Sequence, residues 1–237
     1  MRESDWIRSW ARDFLEVGVT VAVIIIVLKV TLGAEMLVPL VVVTSGSMTH
    51  NPGDTAWIDW LNFRNVTGET IDSFPLLNGF KRGDMIIVKS PESELGDVII
   101  YERDLHHRDF MGNDPIIHRT VGVIHVSDWT YARHDGTLDC ITMADIDEAI
   151  ESVKSCQSGG ECRYPMYPSS GSFKLYVTKG DNNQGSDQCS NRLRIAYLVN
   201  EAQITGRGFI RIPYIGYVKL LMNLILSPII FVIRSLF

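Results

Sequence analysis

The feature that most restricts this fold is a nineteen-residue run, 14–32, nearly all apolar from Val17 to Leu28. As a helix it would rise about 28 Å, close to the thickness of a bilayer core. Glu16 and Lys29 stand near its ends, where long side chains can reach the headgroups. A cleaved signal peptide is the competing explanation, but no A-x-A-like exit comes after the run. The reading is therefore a retained transmembrane anchor. Residues 1–13 carry Arg2, Arg8 and Arg12, against Lys29 at the far end. That excess puts residues 1–13 in the cytoplasm as an N-terminal tail, and the chain beyond the anchor on the other side.

A second apolar block, 217–237, closes the sequence, with Lys219 and Arg234 near its ends. It is long enough for a second transmembrane helix, which Pro228 would kink without forbidding. An interfacial helix is the alternative. The polar chain between the blocks, 33–216, carries most of the charge, so the layout is an extracytoplasmic domain held at a membrane from both sides. The net charge of −6 offers no electrostatic reason to expect nucleic acid.

The middle region reads as mainly β. Met85-Ile86-Ile87-Val88, Val98-Ile99-Ile100-Tyr101, 116–124 and 173–178 are short apolar runs, and Gly83-Asp84, Gly96-Asp97 and Gly180-Asp181 punctuate them. That pattern predicts an all-β sandwich or barrel. Residues 49–80 form a polar insertion carrying Trp57, Trp60 and Phe63. Residues 125–170 form a second one. Within it Thr142 caps a helix whose Ile146, Ala149, Ile150 and Val153 share one face. Cys140, Cys156, Cys162 and Cys189 contain no CxxC pair, so a zinc ribbon is not indicated. Cys156 and Cys162 could close a small loop. Three pairings are open, as are four free thiols.

Between anchor and β text lies Val38-Pro39-Leu40-Val41-Val42-Val43-Thr44-Ser45-Gly46-Ser47-Met48. The β-branched run predicts a short strand, and Gly46 permits a turn that a side chain would obstruct. The turn delivers Ser47 just past the anchor. A serine hydroxyl barely ionises at neutral pH, so as a nucleophile it needs a base. Of six histidines, His118 stands out because it interrupts an apolar strand, where a buried polar group requires a partner. A carboxylate must then orient the imidazole, and Asp181 and Asp187 sit in a polar turn after a strand. Two other classes remain open at this point. One is a catalytically silent anchored domain that binds a partner. The other is a metal-dependent hydrolase using His106, His107 and Asp104 or Asp109, whose spacing is irregular for ligands.

Five boxes occur in order: Ser45-Gly46-Ser47-Met48, Arg82-Gly83-Asp84-Met85, Gly96-Asp97-Val98-Ile99, Ile117-His118-Arg119 and Thr178-Lys179-Gly180-Asp181-Asn182-Asn183. Together they resemble the type I signal peptidases. His118 stands where the bacterial branch has a lysine, so the likeness is to the archaeal and endoplasmic-reticulum branch. The tail Ile212-Pro213-Tyr214-Ile215-Gly216-Tyr217 resembles the archaeal side. The resemblance implies a signal-peptidase-like β-barrel or sandwich and a serine endopeptidase that cleaves signal peptides after small residues. It implies Ser47 as nucleophile, His118 as general base, Asp187 as orienter with Asp181 supporting, and Ser45 with the Ser47 N–H as the oxyanion hole. No cofactor and no metal are implied. The partners it implies are the signal peptides of exported preproteins, membrane lipid and the protein-export translocon, at an archaeal-like cell membrane. The chain departs from the family in lacking a proline soon after Ser47-Met48 and in the length of 49–80.

Overall fold

A computed structural model describes residues 3–33, 36, 38–189 and 194–221. Helix α1 spans Glu3–Leu32 and shows no break between the polar start and the apolar run. Its stretch Arg8–Leu32 is long and apolar enough to cross a membrane, and none of its most apolar window is buried against the rest of the chain. Thr20 and Thr31 donate their hydroxyls to the carbonyls of Glu16 and Val27, each at 2.8 Å, so neither needs water as acceptor. At the other end, residues 216–221 are helical. The rest of the expected second span, 222–237, lies outside the described residues.

After α1 come β1 (Leu40–Val42), α2 (Ala56–Asn62), α3 (Gly68–Asp72), β2 (Met85–Lys89), β3 (Val98–Tyr101), α4 (Leu105–Met111), β4 (Ile116–Ser127), β5 (Thr130–Gly136), α5 (Met143–Gln157), β6 (Phe173–Lys179), β7 (Val199–Asn200) and β8 (Ile204–Ile212). The strands form one antiparallel sheet in the order β1-β2-β8-β3-β4-β6-β7, with β5 paired to β4. The protein is mainly β, and this sheet is a half-barrel.

Alternation along the strands sends side chains to two cores. Phe173, Leu175 and Val177 of β6 join Ile124 and Val126 of β4 beneath α5, whose Ile146, Ala149, Ile150 and Val153 are buried there. Tyr176 and Val123 point the other way, to Ile99, Tyr101 and Ile204. The α5 start is capped as its sequence indicates, Thr142 and Asp145 each bonding the other's backbone N–H.

One expectation changes. The 125–170 stretch does not interrupt the sheet at once: β4 runs on to Ser127 and turns into β5 before α5 begins. β5 reads TYARHDG and is mostly exposed, so no apolar alternation marks it. The cysteines form Cys140–Cys189 and Cys156–Cys162 disulfides.

Candidate active site

Ser47 is placed by the contacts on either side of its turn. Val43 is tied to the start of β2: its N–H donates to the Asp84 carbonyl and its carbonyl accepts from Gly83, both at 2.9 Å. Past the turn, the Met48 carbonyl accepts from the Phe80 N–H at 2.9 Å, and the Met48 side chain is buried with Val43, Phe80, Ile86 and Val98. Ser47 is thus the half-buried residue between two fixed points. Gly46 is not the steric necessity that its position suggests. Its φ is not positive, and an added Cβ would meet only Thr49 Oγ1, at 3.6 Å.

His118 lies on β4 opposite Ile99 of β3 and is 4% exposed. Its Nε2 is 2.9 Å from Ser47 Oγ, and its Nδ1 is 2.6 Å from Asp187 Oδ2. Bonding to the carboxylate keeps the proton on Nδ1 and leaves the Nε2 lone pair facing the serine hydroxyl. Gly180 leaves room for this: a Cβ there would come within 2.9 Å of His118 Nε2.

Asp187 is 3% exposed, and its Oδ2 also accepts from the Thr178 hydroxyl at 2.7 Å and the Tyr101 hydroxyl at 3.0 Å. Thr178 in turn accepts from Gln188 Nε2 at 3.2 Å. Burial, with the Asp187 charge beside it, pushes the Tyr101 phenol well above its ordinary pKa, so it stays a donor. Among the described residues Asp187 Oδ1 has no hydrogen-bond partner, so the donors converge on the one oxygen that meets the histidine. Two residues on, Cys189 ties this segment to Cys140, and Asp139 accepts from the N–H and hydroxyl of Ser186 at 3.3 and 2.8 Å.

Asp181 belongs to a different network. Its two oxygens accept from Arg119 Nε at 2.9 Å and Nη2 at 2.8 Å, and Oδ2 also meets His50 Nε2 at 2.9 Å. Burial opposes its ionisation, but the Arg119 charge and the His50 bond outweigh that and hold its pKa at about 2. The next residue, Asn182, donates from N to the Ser47 carbonyl at 2.7 Å and from Nδ2 to the Gly46 carbonyl at 3.2 Å. Lys179 Nζ donates to the Gly180 and Asp181 carbonyls, both at 3.0 Å, and burial lowers its pKa to about 8. Asp181 therefore anchors the turn that holds the serine, while Asp187 touches the histidine. Ser45 Oγ lies 3.2 Å from Ser47 Oγ.

Several participants escape a reading by residue type. His50 carries no strand or turn signal, and Arg119, though it lies in the 116–124 run directly after His118, has nothing near it in sequence that marks it as the partner of Asp181. Tyr101 and Thr178 look like ordinary ends of buried strands. Asp104 and His107 bond each other at 2.8 Å, with Asp104 also capping α4. The one compact cluster of metal-ligand atom types among the described residues, Asp139, Cys140 and Cys189, has both sulfurs in a disulfide.

β1 and β2 leave no cleft between them. β1 and β2 are hydrogen-bonded partners, with Val41 opposite Ile86. Pro39 and Val43 bond toward β2, so strand alternation turns the backbone groups of Val42 and Thr44 to the opposite side. That side of β1 is an edge of the sheet.

No family model and no solved structure matches the chain. Curated proteins do. The Signal peptidase complex catalytic subunit SEC11 of Paracoccidioides lutzii is 28% identical over 179 residues, covering 71% of this chain and 75% of that protein. The subunits of the same name from Aspergillus terreus and Aspergillus oryzae are each 26% identical over 179 residues, covering 71% of this chain and 74% of theirs. The chain is thus similar, along most of its length, to the catalytic subunits of signal peptidase complexes, the endoplasmic-reticulum type of signal peptidase that its five boxes resemble.

Proposed function

We propose that this chain is a membrane-bound serine endopeptidase that removes N-terminal signal peptides from preproteins, cutting after small residues. The observation that carries the reading is the unbroken line Ser47 Oγ, His118 Nε2, His118 Nδ1, Asp187 Oδ2, at 2.9 and 2.6 Å across its two contacts. Ser47 attacks the scissile carbonyl as His118 takes its proton. Asp187 holds the imidazole in the tautomer that can accept and stabilises the imidazolium that results. His118 then returns the proton to the leaving amine, and water repeats the cycle on the acyl-enzyme. The Ser47 N–H and the Ser45 hydroxyl stabilise the tetrahedral oxyanion, a contact worth about 3 kcal/mol in comparable sites. Asp181 supports the machinery through the Asn182 clamp rather than through the histidine.

The substrate adds as a strand to the outer edge of β1, where Val42 and Thr44 present their backbone groups. Below that edge Val43, Met48 and Ile86 are already packed to burial, and so little unfilled depth suits small side chains. Residues 14–32 anchor the chain beside lipid and residues 1–13 stay cytoplasmic. Residues 33–216 form the catalytic domain outside, and 217–237 return to the membrane. Two disulfides suit an oxidising compartment on the far side of the membrane. The tail 212–217 favours an archaeal-type cell membrane, with the translocon as neighbour, although the three relatives are fungal.

The test is cleavage of a purified preprotein by the full chain in detergent micelles. A single cut after a small residue, absent with Ser47→Ala, is expected. A preprotein left whole by the wild type over many hours would sink the proposal.

A further inference from the structure

The proposed cleft along β1 accounts for the residues before the cut bond. It does not use the chain beyond Ser47. The long 49–80 stretch folds back over the Asp181 turn, and between them lies a cavity of about 280 Å³. Its walls include Thr49, His50, Trp57 and Trp60 on one side, and Asn182 and Gln184 on the other. Both sides are bonded to the nucleophile turn. Thr49 N donates to the Gly46 carbonyl at 3.1 Å, and Asn182 holds the carbonyls of Ser47 and Gly46. Along the chain, β1 lies before the Ser47 turn and this cavity after it.

We infer that the cavity receives the first residues after the scissile bond, those that become the N-terminus of the mature protein, and selects among them. The inference rests on the peptidase reading. The walls are fixed before any ligand arrives. His50 is bonded to Asp181 and stacked on Trp57, the rings 5.0 Å apart and 23° from parallel. Gly79 makes room for it, since a Cβ there would lie 2.8 Å from the His50 ring. The volume is just below the usual range for ligand cavities, so it fits one or two side chains in extended chain and no larger structure. Its chemistry sets the preference. Two indoles contribute apolar surface, although His50 stacks on Trp57 and Arg64 lies over Trp60, 3.8 Å from its ring centre, and the amides of Asn182 and Gln184 suit a peptide backbone. The exposed carboxylate of Asp54 in the lining opposes an acidic side chain, whereas that of Asp181 is already matched by Arg119. Aromatic and apolar residues directly after the cut are favoured, and Asp or Glu disfavoured.

The experiment uses the full chain in micelles and a set of preproteins identical up to the cut bond. They carry Phe, Ala or Glu at the first three positions after it. About a ten-fold spread in kcat/KM is expected, Phe highest and Glu lowest. Ala56→Trp, which fills the cavity from the exposed first residue of α2, is expected to raise KM for the Phe substrates and collapse the spread. A second measurement needs no variant: free peptides with the sequence after the cut should inhibit the wild type, the Phe peptide most and the Glu peptide least. A flat series from an enzyme that cuts, or peptides that inhibit equally, overturns the cavity and leaves the peptidase standing. A wild type that cuts none of the set overturns both.

Discussion

Arg119 grips both carboxylate oxygens of Asp181, through Nε at 2.9 Å and Nη2 at 2.8 Å, with its own side chain fully buried. The residue next to the proposed base is thus committed to the turn that clamps the proposed nucleophile. This fork separates the roles of two aspartates that stand six positions apart.

Stability should report that separation. The Asp181 pKa of about 2 lies below the ordinary carboxylate value, so its charge stabilises the folded state above the unfolded pKa. That contribution, about 2 kcal/mol, is lost as pH falls from about 4 through about 2. Asp181→Asn leaves Arg119 buried without its counter-charge, and a loss of about 3–5 kcal/mol at neutral pH is expected. Urea unfolding at pH 7 and pH 3 should show the variant's deficit shrinking at the lower pH.

Asp187→Asn should behave in the opposite way, with a small change in stability and a drop of about 10⁴ in kcat, because an amide favours the wrong histidine tautomer. Tyr101→Phe and Thr178→Val each remove one donor to the same oxygen. About a ten-fold fall in kcat with KM unchanged is expected for each, equivalent to about 1.4 kcal/mol in the barrier. Steady-state kinetics on one preprotein distinguishes the three variants from Asp181→Asn.

Ser47→Ala and His118→Ala should each lower kcat by about 10⁴ or more, and the double variant should be little worse, because the two residues act as a unit. Thermal melting of Ser47→Ala within a few degrees of wild type would show that chemistry alone was lost.

The Cys140–Cys189 bridge spans 49 residues and ends two positions from Asp187, whereas Cys156–Cys162 spans 6. Replacing the first pair with serines should cost about 2–4 kcal/mol and also lower kcat. Replacing the second should cost less and leave kcat nearly unchanged. Denaturant titration and turnover measured on the same preparations check both halves of the statement.

Local pattern was enough to find the strands that carry apolar runs, the α5 cap and the odd histidine in an apolar strand. It failed where the deciding information is non-local. Nothing near Val41 or Ile86 says that the two strands pair with each other rather than flank a gap. β5 escaped because its sequence satisfies backbone bonding to β4 without an apolar face. Asp181 and Asp187 share one polar turn, and family resemblance ranked them. Only the position of Arg119, 62 residues before Asp181, gives a physical reason for the two roles. His50 is one of six histidines and has no strand to mark it, and its partner lies 131 residues away.

Ser47 and His118 are 71 residues apart, and Asp187 is 69 further on. The three side chains do not meet until β1, β4 and β6 have docked, and such long-range contacts form slowly. A nascent or half-folded chain therefore holds an unactivated hydroxyl. On the peptidase reading, the power to cut other polypeptides comes only once the chain's own backbone is no longer an extended target.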